Sequence, residues 1–177
     1  MVIKSVSQVG SAVIRAKAKP VTSLASKATR KIAADLIDSM RHHELVGMAA
    51  PQIGKSVRVF VTEIRRTKVR KTVETDVLRV FINPRIQSLS KKRVKSWEGC
   101  GSVADGDLFG QTSRSASLTI KAQDLDGESF TLTAMGLLAR VIQHEMDHLN
   151  GKVFTDTANP RTYMSRNEYV KMKKRNK

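Results

Sequence analysis

The chain has 177 residues, 40% of them apolar, enough for one domain with a sizeable core and no need of disulfide staples. Its single cysteine, Cys100, excludes an internal disulfide and points to a reducing compartment, and the absence of an apolar run of about 18 residues argues against a membrane span. With 32 Lys+Arg against 16 Asp+Glu, the formal charge is +16, which favours polyanionic partners, nucleic acid above all.

Residues 1–34 carry seven Lys/Arg and no acid, a composition shared with organellar transit peptides. From about Ser26 to His43, Ile32, Leu36 and Met40 recur at i, i+4 and i+8, with Ala33 and Ile37 beside them. This predicts an amphipathic helix with a polar start around Thr22-Ser23. Val57–Thr62 and Leu78–Ile82 are β-branched and read as strands. The basic run Arg65–Lys71 falls in the loop between them. A second basic cluster is Lys91–Lys95. Ser117–Ala122 and Ser129–Thr133 alternate around Asp126-Gly127, which predicts a hairpin. Ala134 to Asn150 is apolar at helical spacing, with Asn150-Gly151 as its stop. Asn159-Pro160 offers an N-cap and first-turn proline for a last helix, whose tail from Arg161 to Lys177 holds seven Lys/Arg and one acid, Glu168. The predicted fold class is α+β: mostly antiparallel sheets packed around a central helix, with N-terminal and C-terminal helices.

That central helix carries the chemistry. His144 and His148 stand four apart and share one face, so both imidazoles can reach one divalent cation. Glu145, beside the first, can exchange a proton with water that the cation activates. Two histidines leave a tetrahedral ion short of a third protein ligand. Downstream, the position six after His148 is Phe154, and Glu168 follows twenty residues on; Glu168 would suit a zinc-dependent peptidase. Upstream stands Cys100, in Trp97-Glu98-Gly99-Cys100-Gly101-Ser102, and a thiolate is a good ligand. A third segment, Gly47-Met48-Ala49-Ala50-Pro51-Gln52-Ile53-Gly54, lets backbone approach a ligand closely and provides a carboxamide donor for an oxygen gaining charge. The residues alone leave three readings open: a hydrolase with a Cys/His/His site, a peptidase with Glu168 as ligand, and a basic RNA-binding protein with a degenerate site.

These three segments, in this order, resemble the peptide deformylase family. Its motifs are Gly-x-Gly-Leu-Ala-Ala-x-Gln-x-Gly, Glu-Gly-Cys-Leu-Ser and Gln-His-Glu-x-Asp-His-Leu-x-Gly, the last complete at Gln143–Gly151. The resemblance spans roughly residues 1–158, taken as the catalytic domain, with 159–177 as a basic C-terminal helix or tail; the basic N-terminus then reads as mature domain. The resemblance implies removal of the N-formyl group from the formylmethionine of nascent polypeptides, releasing formate. It implies Cys100, His144 and His148 as metal ligands, with a metal-bound hydroxide as nucleophile and Glu145 as general acid/base. Gln52 and the Gly101 N–H would hold the formyl oxygen. Val46, Gly47 and Gly99 would meet the substrate backbone, while Leu137, Arg140 and Val141 would line the methionine pocket. Ligand chemistry alone favours Zn²⁺; the resemblance implies Fe²⁺, one per chain, with Zn²⁺, Ni²⁺ or Co²⁺ able to substitute.

Further expectations are a monomer, no membrane partner, ribosome association through the basic tail, and a bacterial-type cytoplasmic or organellar setting. The chain departs from the family pattern at Leu45, where glycine is usual, at Met48, where leucine is usual, and at Gly101, where leucine is usual. Glycine keeps the N–H at 101 but loosens the backbone, so on sequence grounds Gly101→Leu should retain or raise turnover.

Overall fold

The computed structural model describes residues 2–67 and 74–175. In the N-terminal part, a short helix α1 (Ala12–Arg15) precedes α2 (Lys27–His42). Ser26 caps α2 by accepting a hydrogen bond from the Thr29 N–H at 3.1 Å. Ala33, Leu36 and Met40 form its buried stripe, as the periodicity predicts. The helix starts at Lys27 because Ser26, rather than Thr22-Ser23, supplies the cap.

Two sheets follow, and every strand pair in them is antiparallel. The larger has five strands: β1 (Gly47–Ala49), β2 (Val59–Thr62), β3 (Arg79–Leu89), β6 (Ser117–Gln123) and β7 (Ser129–Met135), in the order β1-β2-β3-β6-β7. The smaller is β4 (Arg93–Gly99), β5 (Leu108–Ser115) and β8 (Asn159–Ser165), in the order β4-β5-β8. The β6–β7 turn has the expected chemistry: Asp124 Oδ1 accepts from the N–H groups of Asp126 and Glu128, and Gly127 takes φ +88°.

Helix α3 (Gly136–Leu149) packs on β1, β2, β5, β6 and β7. One core lies between it and the larger sheet, built on Phe60, Phe81, Ile120, Ile142 and Leu149, with Phe60 and Phe81 stacked at 4.4 Å. This is the predicted α+β arrangement around the His-bearing helix.

Several local expectations are corrected. Ala134 and Met135 belong to β7, and the chain turns into α3 at Gly136, where φ is +56°. Asn159-Pro160 opens strand β8 instead of a helix; β8 is an edge strand, where a missing N–H is tolerated. The last helix, α4, is Arg166–Arg175. Strands β4 and β5 escape pattern reading because the positions they bury are Glu98, Gly110, Thr112 and Arg114, so no apolar alternation marks them. The basic run Arg65–Lys71 lies partly outside the described residues. The N-terminal segment packs as part of the domain: the Ser7 N–H donates to Gln52 O and the Val9 N–H to Ser102 O, both at 2.8 Å. Among the described residues no helix is long and apolar enough to cross a membrane.

Candidate active site

The structure brings the three sequence segments to one cavity of about 540 Å³ between the edge strands β1 and β4, with α3 as its floor. Cys100, His144 and His148 converge there: each offers a donor atom, and these atoms lie within 4.8 Å of one another. Cys100 Sγ stands 3.2 Å from His148 Nε2. The two imidazoles, one helical turn apart, meet edge to face at 5.0 Å. The Cys100 Sγ also accepts the Ser102 N–H at 3.4 Å. Burial opposes ionisation of Cys100. The charge of His148 and hydrogen bonds from His144 and His148 outweigh it, and the thiol falls well below its ordinary range. A thiolate and two imidazole nitrogens form the donor set that suits a borderline divalent ion.

Glu98 fixes the orientation of this cluster. Its Oε2 meets His144 Nδ1 at 3.1 Å, so Nε2 is the imidazole nitrogen left to face a cation. The same carboxylate accepts from Thr112 Oγ1, from two nitrogens of Arg114 at 2.9 Å, and from Arg140 at 2.6 Å. Arg114 reaches on to Asp147 at 2.5 Å. Burial alone would raise Glu98, but hydrogen bonds from His144 and Arg114 hold it far below the usual carboxylate range. The motifs include Glu98 and Asp147 but give them no role, and Arg114 lies outside them, since partners on separate strands and a helix share no sequence period. The available signals are an acid next to the Gly-Cys step and an acid between the two histidines.

Glu145 is buried, and its Oε2 has no hydrogen-bond partner among the described residues. Burial pushes its pKa up to about 7 against the opposing charges of His144 and His148. An orphaned carboxylate oxygen beside a donor cluster fits a group that binds and moves a proton. Gly47 explains how Glu145 fits: a Cβ there would come within 2.5 Å of Glu145 Oε1 and 2.7 Å of Val141 Cγ1, so only glycine lets β1 pass.

Gln52 sits in a short 3₁₀ turn, Ala50–Ile53. Its Oε1 accepts the Ala49 N–H at 2.8 Å, which commits the carboxamide orientation. Nε2 therefore points to the cluster, 3.3 Å from Ser102 Oγ and 3.9 Å from Cys100 Sγ. Gly101 borders the same cavity. Val46, Gly47 and Gly99 line it from the two sheet edges; the Val46 carbonyl is already taken by the Glu63 N–H at 2.9 Å, which leaves its own N–H as the group to offer. Leu137, Arg140 and Val141 line the α3 side. Arg140 spends its guanidinium on Glu98, Thr112 and the Val94 carbonyl, so it lends the wall its stem. Glu168 lies elsewhere: it is exposed on α4 and pairs with Lys171 at 2.7 Å, so a peptidase-type site with Glu168 as ligand is not assembled.

Comparisons with known proteins agree with this geometry. The family model described as Polypeptide deformylase matches residues 3–163. The chain is 36% identical over 156 residues to the peptide deformylase of Dictyoglomus thermophilum, covering 88% of this chain and 93% of that one. It is 40% identical over 163 residues to the peptide deformylase of Polynucleobacter necessarius, covering 90% and 86%. Among solved structures, the class I type b peptide deformylase of Acinetobacter baumannii bound to Met-Ala-Ser matches with a TM-score of 0.83 at 31% identity, over 88% of this chain and 99% of that one. The same bacterium's deformylase bound to actinonin matches with a TM-score of 0.80 at 30% identity, over 90% and 100%. The chain belongs to the polypeptide deformylase family, and it is a metal-dependent hydrolase that removes the N-formyl group from nascent peptides.

Proposed function

We propose that Cys100, His144 and His148 hold one divalent cation, that Glu145 is the general acid/base, and that the substrate is the formylmethionine end of a nascent polypeptide. The observation that carries this reading is the convergence of three donor atoms within 4.8 Å beside a carboxylate oxygen that lacks a partner among the described residues. When bound, the cation supplies Lewis acidity that makes water nucleophilic near neutral pH. The native ion in this reading is Fe²⁺, with Zn²⁺, Ni²⁺ or Co²⁺ able to replace it.

The remaining steps belong to the protein. Val46 and Gly47 on one sheet edge and Gly99 on the other receive the peptide backbone as an added strand. Leu137, Val141 and the Arg140 stem take the methionine side chain. The water oxygen attacks the formyl carbon while Glu145 takes the water's proton. Gln52 Nε2 and the Gly101 N–H donate to the formyl oxygen as it gains charge. Glu145 then delivers the proton to the amine nitrogen, the C–N bond breaks, and formate and a free N-terminus leave. A carboxyl raised to about 7 by burial is matched to accepting and returning a proton at neutral pH.

The basic last turn of α4, with Lys173, Lys174 and Arg175, supports docking to a polyanion such as ribosomal RNA. The bacterial relatives and the lone cysteine support a bacterial-type cytoplasmic setting. The test is formate release from formyl-Met-Ala-Ser by anaerobically prepared, iron-loaded protein, beside a Glu145→Ala control and with metal content measured. Turnover with about one metal per chain, lost in the control, is expected; an inactive iron-loaded wild type overturns the assignment of roles.

A further inference from the structure

Strand β4 is an edge strand, and its cavity-facing end carries Glu98, Gly99 and then Cys100. Successive side chains on a strand face opposite ways. Glu98 turns towards α3, where it meets His144 and Arg140. Trp97 and Gly99 therefore present the opposite face. Gly99 has no side chain there, and its cross-strand partner Phe109 closes in: a Cβ on Gly99 would lie 2.9 Å from the Phe109 ring. Phe109 in turn stacks on Tyr169 of α4, with centroids 4.3 Å apart and planes 8° from parallel. Trp97 stands 5.9 Å from Tyr169.

These three rings border the same cavity as His144 and Glu145. Helix α4 is tied in place beside them. The Arg166 N–H donates to Asp107 O at 2.8 Å, and its guanidinium donates twice to Gly106 O at 3.2 and 2.8 Å. The C-terminal helix thus forms one wall of the reaction cavity.

We propose that Trp97, Phe109 and Tyr169 form a subsite for the side chain of the residue that follows formylmethionine, and that it selects apolar and aromatic side chains. The inference rests on the reading of Cys100, His144 and His148 as the reacting centre, which anchors the formyl end. A peptide extended along β4 alternates its side chains as the strand does. Methionine faces α3, and the next side chain faces the rings. Three half-buried rings, with the Lys173 ammonium 5.8 Å over Tyr169, offer apolar edges and surface that favour another ring or an aliphatic chain. Tyr169 then determines specificity from outside the motifs that carry the chemistry.

The experiment compares kcat/KM for formyl-Met-Phe-Ser and formyl-Met-Gly-Ser in wild type, Tyr169→Ala and Tyr169→Phe. Wild type should prefer the phenylalanine peptide by about fivefold or more, mostly through KM. Tyr169→Phe should keep that ratio, and Tyr169→Ala should bring it towards one. An unchanged ratio in Tyr169→Ala, or no preference in wild type, overturns the subsite. Trp97 is the chain's single tryptophan, so its fluorescence gives a readout that needs no turnover. Met-Phe-Ser should perturb it saturably and at lower concentration than Met-Gly-Ser does, and equal titrations overturn the proposal even if Tyr169→Ala does not fold. A wild type that releases no formate yet shows this binding difference loses the assigned reaction roles and keeps the subsite.

Discussion

Leu45 fills the space beside Gly101: a Cβ built on Gly101 would lie 3.3 Å from Leu45 Cδ1, with Val6 Cγ1 at 3.5 Å. Where the family pattern has a small residue at the first position and a large one at the second, this chain has the reverse, and the volumes compensate. The peptide that follows Gly101 is held from behind, because Gln8 Nε2 donates to Gly101 O at 2.8 Å and Gln8 Oε1 accepts the Asp105 N–H.

The pair changes the expectation for Gly101→Leu. On sequence grounds the substitution should retain or raise turnover; the packing argues that it must push Leu45 aside. Overpacking of this kind costs on the order of 1–3 kcal/mol. We expect Gly101→Leu alone to lower kcat/KM on formyl-Met-Ala-Ser by about tenfold, and Leu45→Ala in the same chain to recover most of that activity. A double-mutant cycle measures this coupling directly. Additive effects, or a gain from the single change, would show that the two residues are independent.

Glu145→Gln removes the proposed acid/base while keeping the volume and a polar head. Turnover should fall by roughly 10²–10⁴-fold, with metal content and melting temperature close to wild type. Replacement of the buried, protonatable acid by an amide relieves desolvation, so stability should not fall. Retained turnover would move the proton transfer to another group.

Glu98→Ala should act on both stability and metal. It takes the carboxylate from Arg140, which keeps Thr112 and the Val94 carbonyl, and from two of the Arg114 nitrogens, which leaves Arg140 without a carboxylate partner at a cost of about 3–5 kcal/mol. It also frees His144 Nδ1, and removal of such an orienting carboxylate weakens metal affinity by roughly 10–100-fold. Thermal melting and competitive chelator titration check the two arms. Cys100→Ala, by contrast, should abolish stoichiometric metal binding, since it removes one of the three proposed ligands outright. Unchanged chelator resistance in Glu98→Ala would reduce Glu98 to a purely structural role.

What the sequence made legible follows its periods. His144 and His148 lie four apart on one helix; α2, β6 and α3 bury apolar residues at regular spacing, β7 turns Phe130, Leu132 and Ala134 inward, and β2 is a short run buried throughout. The smaller sheet was not legible. Its interior is Glu98, Thr112 and Arg114, a polar network whose members satisfy one another only after two strands and a helix have met. Nor was the role of α4 legible: Tyr169 reads as one residue in a basic tail, and only its stack on Phe109 brings it to the cavity.

That placement alters the test of the tail. Read as a solvated extension, residues 166–177 could be deleted to separate ribosome docking from catalysis, with turnover on a short peptide spared. Arg166 and Tyr169 border the reaction cavity, so the deletion removes part of its wall along with the charge. Substituting Lys171, Lys174 and Arg175 together by glutamine keeps Tyr169 on Phe109 and Lys173 over the Tyr169 ring, and removes three positive charges from the helix. Each phosphate left without its cationic partner should lower the slope of log affinity against log salt by about 0.7–0.9, so ribosome binding should weaken and become less sensitive to salt. The measurement is co-sedimentation with ribosomes across a salt series, beside turnover on formyl-Met-Ala-Ser. Equal binding by the glutamine variant and wild type at every salt concentration would leave the α4 charge as solvated surface.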